Sequence, residues 1–232
     1  MVRQFSAHPA AGLFILLLLF ATLAIAPARA EESAEYDAPS PAVLSADEAA
    51  WLQRAEDYFN SLETIRAYFF QTSSEGAIAE GVFYLRRPGR LRVEYLPPTP
   101  ILIVGDGLFL HFHDTELGQV DDWPIFDTPL GALSSDEVIF NDDLIVIGFL
   151  RRSGALAITL VKREDPGLGS LTLYFSEAPM EFKQWKVIDA QGLVTTVALM
   201  NAETNIDLDA RLFVFDDPRE NFDDPRENRP RH

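Results

Sequence analysis

The chain has 232 residues, with 19 Lys+Arg against 36 Asp+Glu for a net charge of −17, and it contains no cysteine. Such an acidic chain is poorly suited to nucleic acid or to an anionic lipid surface. Without thiols it has no disulfide, no acylated cysteine and no thiolate nucleophile, and its length suits one domain with a large core or one β-rich domain enclosing a pocket.

The first 30 residues read as a secretory signal. Arg3 supplies the positive start, Leu13 to Ala26 is an apolar run containing F-I-L-L-L-L-F, and Ala28-Arg29-Ala30 is a small-x-small cleavage site. The apolar run is shorter than the roughly 20 residues of a membrane span, which favours cleavage after Ala30 over an anchor helix. Export without cysteine points to a bacterial periplasmic or secreted domain. Residues 31–44 are acidic and contain proline, the composition of a mobile lead-in.

Ser45-Ala46-Asp47-Glu48 has the form of a capping box, in which the Ser45 hydroxyl and the Glu48 carboxylate satisfy the first free amides of a helix. Trp51, Leu52, Ala55, Tyr58, Phe59 and Leu62 follow at helical spacing and form one aromatic stripe. Such a stripe is plain core, or a lid if its partner surface is concave.

From about Ile65 the period becomes two. Ala67, Phe69 and Gln71 alternate with Arg66, Tyr68 and Phe70. Gly81 to Leu85, Leu91 to Tyr95, Ile101 to Val104 and Leu108 to His113 then read as successive strands, with Gly105-Asp106-Gly107 as a hairpin turn. Asp121 to Ser135 reads as a pause that carries a short helix through Leu130 and Leu133. Leu144 to Leu150 is an apolar run that periodicity does not assign. Strands resume at Leu156 to Lys162, Leu171 to Phe175, Phe182 to Ile188, Val194 to Met200 and Ile206 to Leu212. Short strands at this spacing describe a strongly curved antiparallel sheet and not βαβ units.

One residue breaks the pattern. Arg87 shares parity with Phe83 and Leu85, while Leu91, Val93 and Tyr95 lie on one face after the Pro88-Gly89 turn. A guanidinium there either ends the strand at water or has a specific buried partner, since an unpaired interior charge is costly.

Catalytic groups are sparse. His111 and His113 stand at i and i+2 beside Asp114, without third and fourth ligands at metal-binding spacing. There is no G-x-S-x-G, no H-E-x-x-H and no phosphate-binding glycine loop. Asp121-Asp122, Asp142-Asp143 and Asp216-Asp217 read as solvated loop charges, so neither enzyme activity nor a cofactor is expected. The tail repeats F-D-D-P-R-E-N at Phe215 to Asn221 and Phe222 to Asn228, a duplication read as part of a disordered end from residue 218 onward.

Phe69-x-Gln71, Gly81-x-Phe83-x-Leu85-x-Arg87-Pro88, Tyr95 and Ile101-Leu102-Ile103-Val104-x-Asp106-Gly107-x-x-Leu110-x-Phe112 resemble the periplasmic outer-membrane lipoprotein carrier family, LolA. The likeness extends loosely through Thr128-Pro129-Leu130 to Phe213-x-Phe215 and frames a carrier domain over residues 45–217. It implies an α+β fold that is mainly β, an unclosed and strongly curved antiparallel barrel with short helices forming a lid over an apolar cavity. It also implies a monomeric periplasmic chaperone. Such a chaperone takes acylated lipoproteins from an inner-membrane ABC transporter to an outer-membrane acceptor lipoprotein.

In the family the arginine before proline reaches lid carbonyls, which makes Arg87 the expected latch. Phe83, Leu85, Leu91, Val93, Tyr95, Trp51, Leu52, Tyr58, Phe59, Leu130 and Leu133 are the expected acyl-chain cavity. Leu91, Val93, His111 and His113 stand where the family often has aromatics. Alternatives are a binding module such as the sigma-factor regulator RseB, which carries a second C-terminal domain, and a β-sandwich hydrolase. The acceptor family LolB requires an acylated cysteine that this chain lacks.

Overall fold

The switch from helical to alternating periodicity falls where helix gives way to sheet. The structure, a computed structural model, describes residues 39–219 apart from 126–127, 129–130, 132 and 141. The signal, its cleavage site, Leu130 and the second heptapeptide copy lie outside the described residues. Helix α1 (Ala46–Asn60) begins at the capping box: the Glu48 amide donates to Ser45 Oγ at 3.4 Å, and the Ser45 amide donates to Glu48 Oε2 at 2.8 Å. These bonds hold the Glu48 carboxyl below its ordinary pKa. Just before the helix, the Ala42 amide donates to Val146 O at 2.8 Å, which ties the end of the lead-in to the sheet.

Eleven strands follow: β1 (Thr64–Ser73), β2 (Ile78–Arg86), β3 (Arg90–Tyr95), β4 (Ile101–Asp106), β5 (Phe109–Asp114), β6 (Gln119–Pro124), β7 (Leu144–Arg152), β8 (Ala155–Lys162), β9 (Gly169–Glu177), β10 (Met180–Asp189) and β11 (Val194–Thr204). They form one antiparallel sheet in the order β6-β5-β4-β3-β2-β1-β11-β10-β9-β8-β7. Two meanders therefore meet at the β1–β11 pair, and β6 and β7 are the outer strands and do not pair with each other, so the barrel is unclosed. The linker 125–143 joins those two edges.

The curvature can be read from a single contact. Phe83 of β2 and Trp185 of β10 lie three strand spacings apart, about 14 Å on a flat sheet, yet their rings meet at 5.6 Å. The concave face encloses one apolar core that includes Phe69, Leu91, Ile103, Ile158, Leu173 and Val197, and α1 packs into it through Leu52, Ala55 and Phe59.

Two segments differ from the sequence reading, which left a third unassigned. The apolar run 144–150 is strand β7. Asp121 and Asp122 belong to strand β6 and not to a loop, with Asp122 facing His111 across the β5–β6 pair. Ile206 to Leu212 is not a strand: Asn205 turns the chain out of the sheet at φ 55, and Asp209 accepts from the Arg211 amide at 2.9 Å to start a 3-10 helix at Ala210–Phe213. That helix packs over β3 and β4 on the convex side. This explains why Val104 is fully buried although its parity points outward.

Candidate functional site: a braced mouth over an apolar interior

Arg87 lies one residue beyond β2, where the inward parity of Phe83 and Leu85 carries it to the rim. The Arg87 amide donates to Glu63 O at 2.9 Å and the Gly89 amide donates to Ser134 O at 2.8 Å, so the whole turn is held between α1's end and the linker. The guanidinium then reaches both elements. Nε and Nη2 donate to Ser135 O at 2.8 and 2.6 Å, Nη2 approaches Asp136 O at 3.3 Å, and Nη1 donates to the Phe59 carbonyl at the C-terminal turn of α1. A helix C-terminus presents unpaired carbonyls and partial negative charge, which suits a cation. Partial burial pulls the Arg87 pKa down and Asp136 opposes that pull.

Asn60 is the second brace, and the sequence reading passed over it. Its Nδ2 donates to Val138 O at 3.0 Å, and its Oδ1 accepts from the Val138 amide at 2.8 Å and from Arg87 Nη2 at 3.4 Å. One turn earlier, Glu56 Oε1 accepts the Phe140 amide at 2.5 Å, while partial desolvation raises its carboxyl pKa. A polar residue at a helix end normally reads as a cap, and only tertiary structure reveals that Asn60 pairs with a segment 78 residues away. Replacing Asn60 by alanine is expected to cost about 1–2 kcal/mol for the two backbone bonds lost. That corresponds to a melting temperature lower by about 3–6 °C; an unchanged melt would show that these bonds are replaced by water without loss.

Beneath the mouth, Phe59, Ile65, Phe83, Leu85, Leu91, Leu133, Ser134, Phe182 and Trp185 surround a small cavity with free space of about 20 Å³. That volume suits about one water and no larger ligand. Five expected residues therefore converge there: Phe83, Leu85, Leu91, Phe59 and Leu133. Val93 and Tyr95 are buried farther along β3, where Tyr95 packs edge-on to Phe69 and donates to Gln71 Oε1 at 2.8 Å. Burial pushes the Tyr95 phenol well above its ordinary pKa. Leu52 is buried, and Tyr58 is half-buried against the edge of Phe175. Trp51 stands apart, held between the guanidinium groups of Arg54 and Arg151 at 4.4 and 4.2 Å.

Trp185 and Phe182 were not anticipated as cavity residues. A bulge between Phe182 and Gln184 turns both rings inward although they are three residues apart, which plain alternation forbids. The rings stack at 5.9 Å and 15°. Trp185 Nε1 has no hydrogen-bond partner among the described residues. The site contains apolar surface and one cation, Arg87, bound to backbone carbonyls.

His111 and His113 lie on the convex face, away from this cavity. His111 Nδ1 meets Asp122 Oδ1 at 2.7 Å, Nε2 lies 3.4 Å from Asp106 Oδ2, and the ring stacks on Phe215. Among the described residues no group of three or more metal-ligand side chains gathers. No helix of the described residues is long and apolar enough to cross a membrane.

The family model of the outer membrane lipoprotein carrier protein LolA matches residues 60–216. An outer-membrane lipoprotein carrier protein of Dechloromonas aromatica is 29% identical over 184 residues, 73% of this chain and 85% of that protein. One from Methylococcus capsulatus is 28% identical over 174 residues, 71% and 83% of the two chains. A solved LolA superfamily protein from Nitrosomonas europaea aligns with 71% of this chain and 97% of its own at a TM-score of 0.42 and 9% identity. Because the family match takes in every strand from β1 to β11 and the segment that packs behind them, the chain belongs to the LolA family of outer membrane lipoprotein carrier proteins.

Proposed function

We propose that the protein, with its signal removed after Ala30, carries acylated lipoproteins through the periplasm. It receives them from an inner-membrane ABC transporter, delivers them to an outer-membrane acceptor lipoprotein, and holds their acyl chains in the apolar interior. The observation that carries this reading is that one side chain on the sheet's rim, Arg87, bonds to both covers of that interior, α1 and the linker, which Asn60 and Glu56 also tie to each other. The cavity beneath the mouth, with about 20 Å³ free, has no room for an acyl chain. Loading therefore requires both covers to move, and Arg87 is the latch whose release permits it.

Each methylene removed from water contributes about 0.8 kcal/mol, so enclosing part of one fatty chain supplies roughly 5–10 kcal/mol. Charge-assisted bonds of about 1.5–3 kcal/mol each hold the mouth closed without exceeding that gain. The energies balance closely enough for a competing apolar surface to draw the cargo off, and the transfer needs no covalent chemistry.

The test is extraction from inner-membrane vesicles with transporter and ATP. The mature protein is expected to solubilise an acylated lipoprotein and to leave its unacylated form untouched. Equal release of both forms would contradict an acyl-chain carrier.

A further inference from the structure

The segment that leaves β11 continues as a strap over the convex face. Thr64 Oγ1 donates to Ile206 O at 2.7 Å, Leu208 and Phe213 are buried, and Arg92 Nη1 donates to Leu212 O at 3.1 Å. Its end enters a defined site on β5 and β6. The Phe215 ring stacks on His111 at 4.5 Å and 9°, and His113 meets its edge at 5.9 Å and 80°. Four residues on, Arg219 Nη2 donates to Asp122 Oδ2 at 2.8 Å. Asp217 shapes that arginine: its Oδ1 accepts the Arg219 amide at 2.8 Å, and Arg219 Nη2 donates to its Oδ2 at 2.6 Å. Burial raises the Asp122 pKa, but bonds from Arg219 and His111 outweigh it and hold the carboxyl below its ordinary value.

The groups read by this site are an aromatic ring, then an aspartate two residues later, then an arginine two residues after that. All recur in Phe222, Asp224 and Arg226, because residues 222–228 repeat residues 215–221 without change. We propose that the His111–Asp122 face is a docking site for the F-D-D-P-R segment, and that the second copy, Phe222 to Arg226 of the same chain, is its alternative occupant. The strap then closes in two registers. The first, tight register docks residues 215–219 and the second, slack register docks the second copy, so the site stays filled in both.

The same-chain occupant is favoured by its tether. A short flexible linker gives an effective concentration in the millimolar range, above that of a second molecule in dilute solution. The longer loop costs little, because closure entropy grows only with the logarithm of length. On that scaling the slack register is roughly ten-fold less populated than the tight one.

The histidine ring protons report occupancy, since a phenyl ring stacked at 4.5 Å displaces their NMR shifts. In the full mature chain, Phe222→Ala is expected to leave the His111 shifts unchanged. Phe215→Ala is expected to retain most of the displacement, because Phe222 takes the site, and the double substitution is expected to abolish it. A loss in Phe215→Ala equal to that in the double variant would overturn the proposal. So would a displacement in Phe215→Ala that appears only as protein concentration rises, since that is exchange between molecules. The readouts lie on the convex face and do not depend on lipoprotein binding.

Discussion

Arg87→Leu is expected to shift the mouth toward its open form by about 2–4 kcal/mol. The side chain donates to Phe59 O and Ser135 O and lies near Asp136 O and Asn60 Oδ1. Each charge-assisted bond is worth about 1.5–3 kcal/mol, but the site is half-buried and water recovers part of the loss. The shift corresponds to roughly a 30- to 1,000-fold change in the open-to-closed ratio. Under the proposed function its sign follows from linkage: a latch that stabilises only the empty, closed protein makes cargo release less favourable by the same amount when it is removed. Loading is expected to persist and hand-over to an acceptor to slow. Amides in residues 58–63 and 133–140 are expected to exchange faster. Arg87→Lys keeps the charge but loses the planar fork, and it should fall between the two. Unchanged exchange together with unchanged transfer in a reconstituted assay would remove the latch from the mechanism.

Much of this arrangement is legible in the sequence because it rests on local rules. The capping box, the alternation in β2 through β5 and the Gly105-Asp106-Gly107 turn each depend on residues within five positions. At that turn Asp106 Oδ1 accepts the Leu108 and Phe109 amides at 2.8 Å, and Gly107 takes φ 111. Arg87 stands out by parity alone. Its partners could not be read, because they are backbone carbonyls, which any residue supplies.

What escapes sequence reading is non-local or irregular. The bulge before Trp185 shifts the alternation by one residue and so conceals the largest ring at the cavity. The β1–β11 pair joins residues about 130 positions apart and leaves no trace in composition. The strap has strand-like alternation in Ile206, Leu208 and Leu212. Its polar turn residues instead lead it onto the convex face, where Val104 receives it. For His111 and His113 the sequence showed only that further ligands at metal-binding spacing are lacking, and it gave no sign that their ring partner is Phe215.

Under the proposed function the interior opens for cargo, yet part of it is packed too tightly to move, and Gly81 locates that part. In β2, Gly81 pairs with Phe69 of β1 and Tyr95 of β3. A methyl group on it would lie 2.1 Å from Glu94 O and 2.5 Å from Phe69 Cε1. The first is a backbone atom and cannot rotate away, so Gly81→Ala must separate β2 from β3. The second belongs to a buried ring wedged against Tyr95, whose hydroxyl is fixed by Gln71. Overpacking of this kind costs about 3 kcal/mol or more. For a chain of this size the melting temperature is then expected to fall by about 6–12 °C. Gly148→Ala is the control: its added carbon meets only Thr159, at 3.3 Å from Cβ, and should cost under about 1 kcal/mol. Equal melting temperatures for the two variants would mean that the β2–β3 floor yields as readily as an edge strand. The mobile part of the interior would then extend beyond α1 and the linker into the sheet itself.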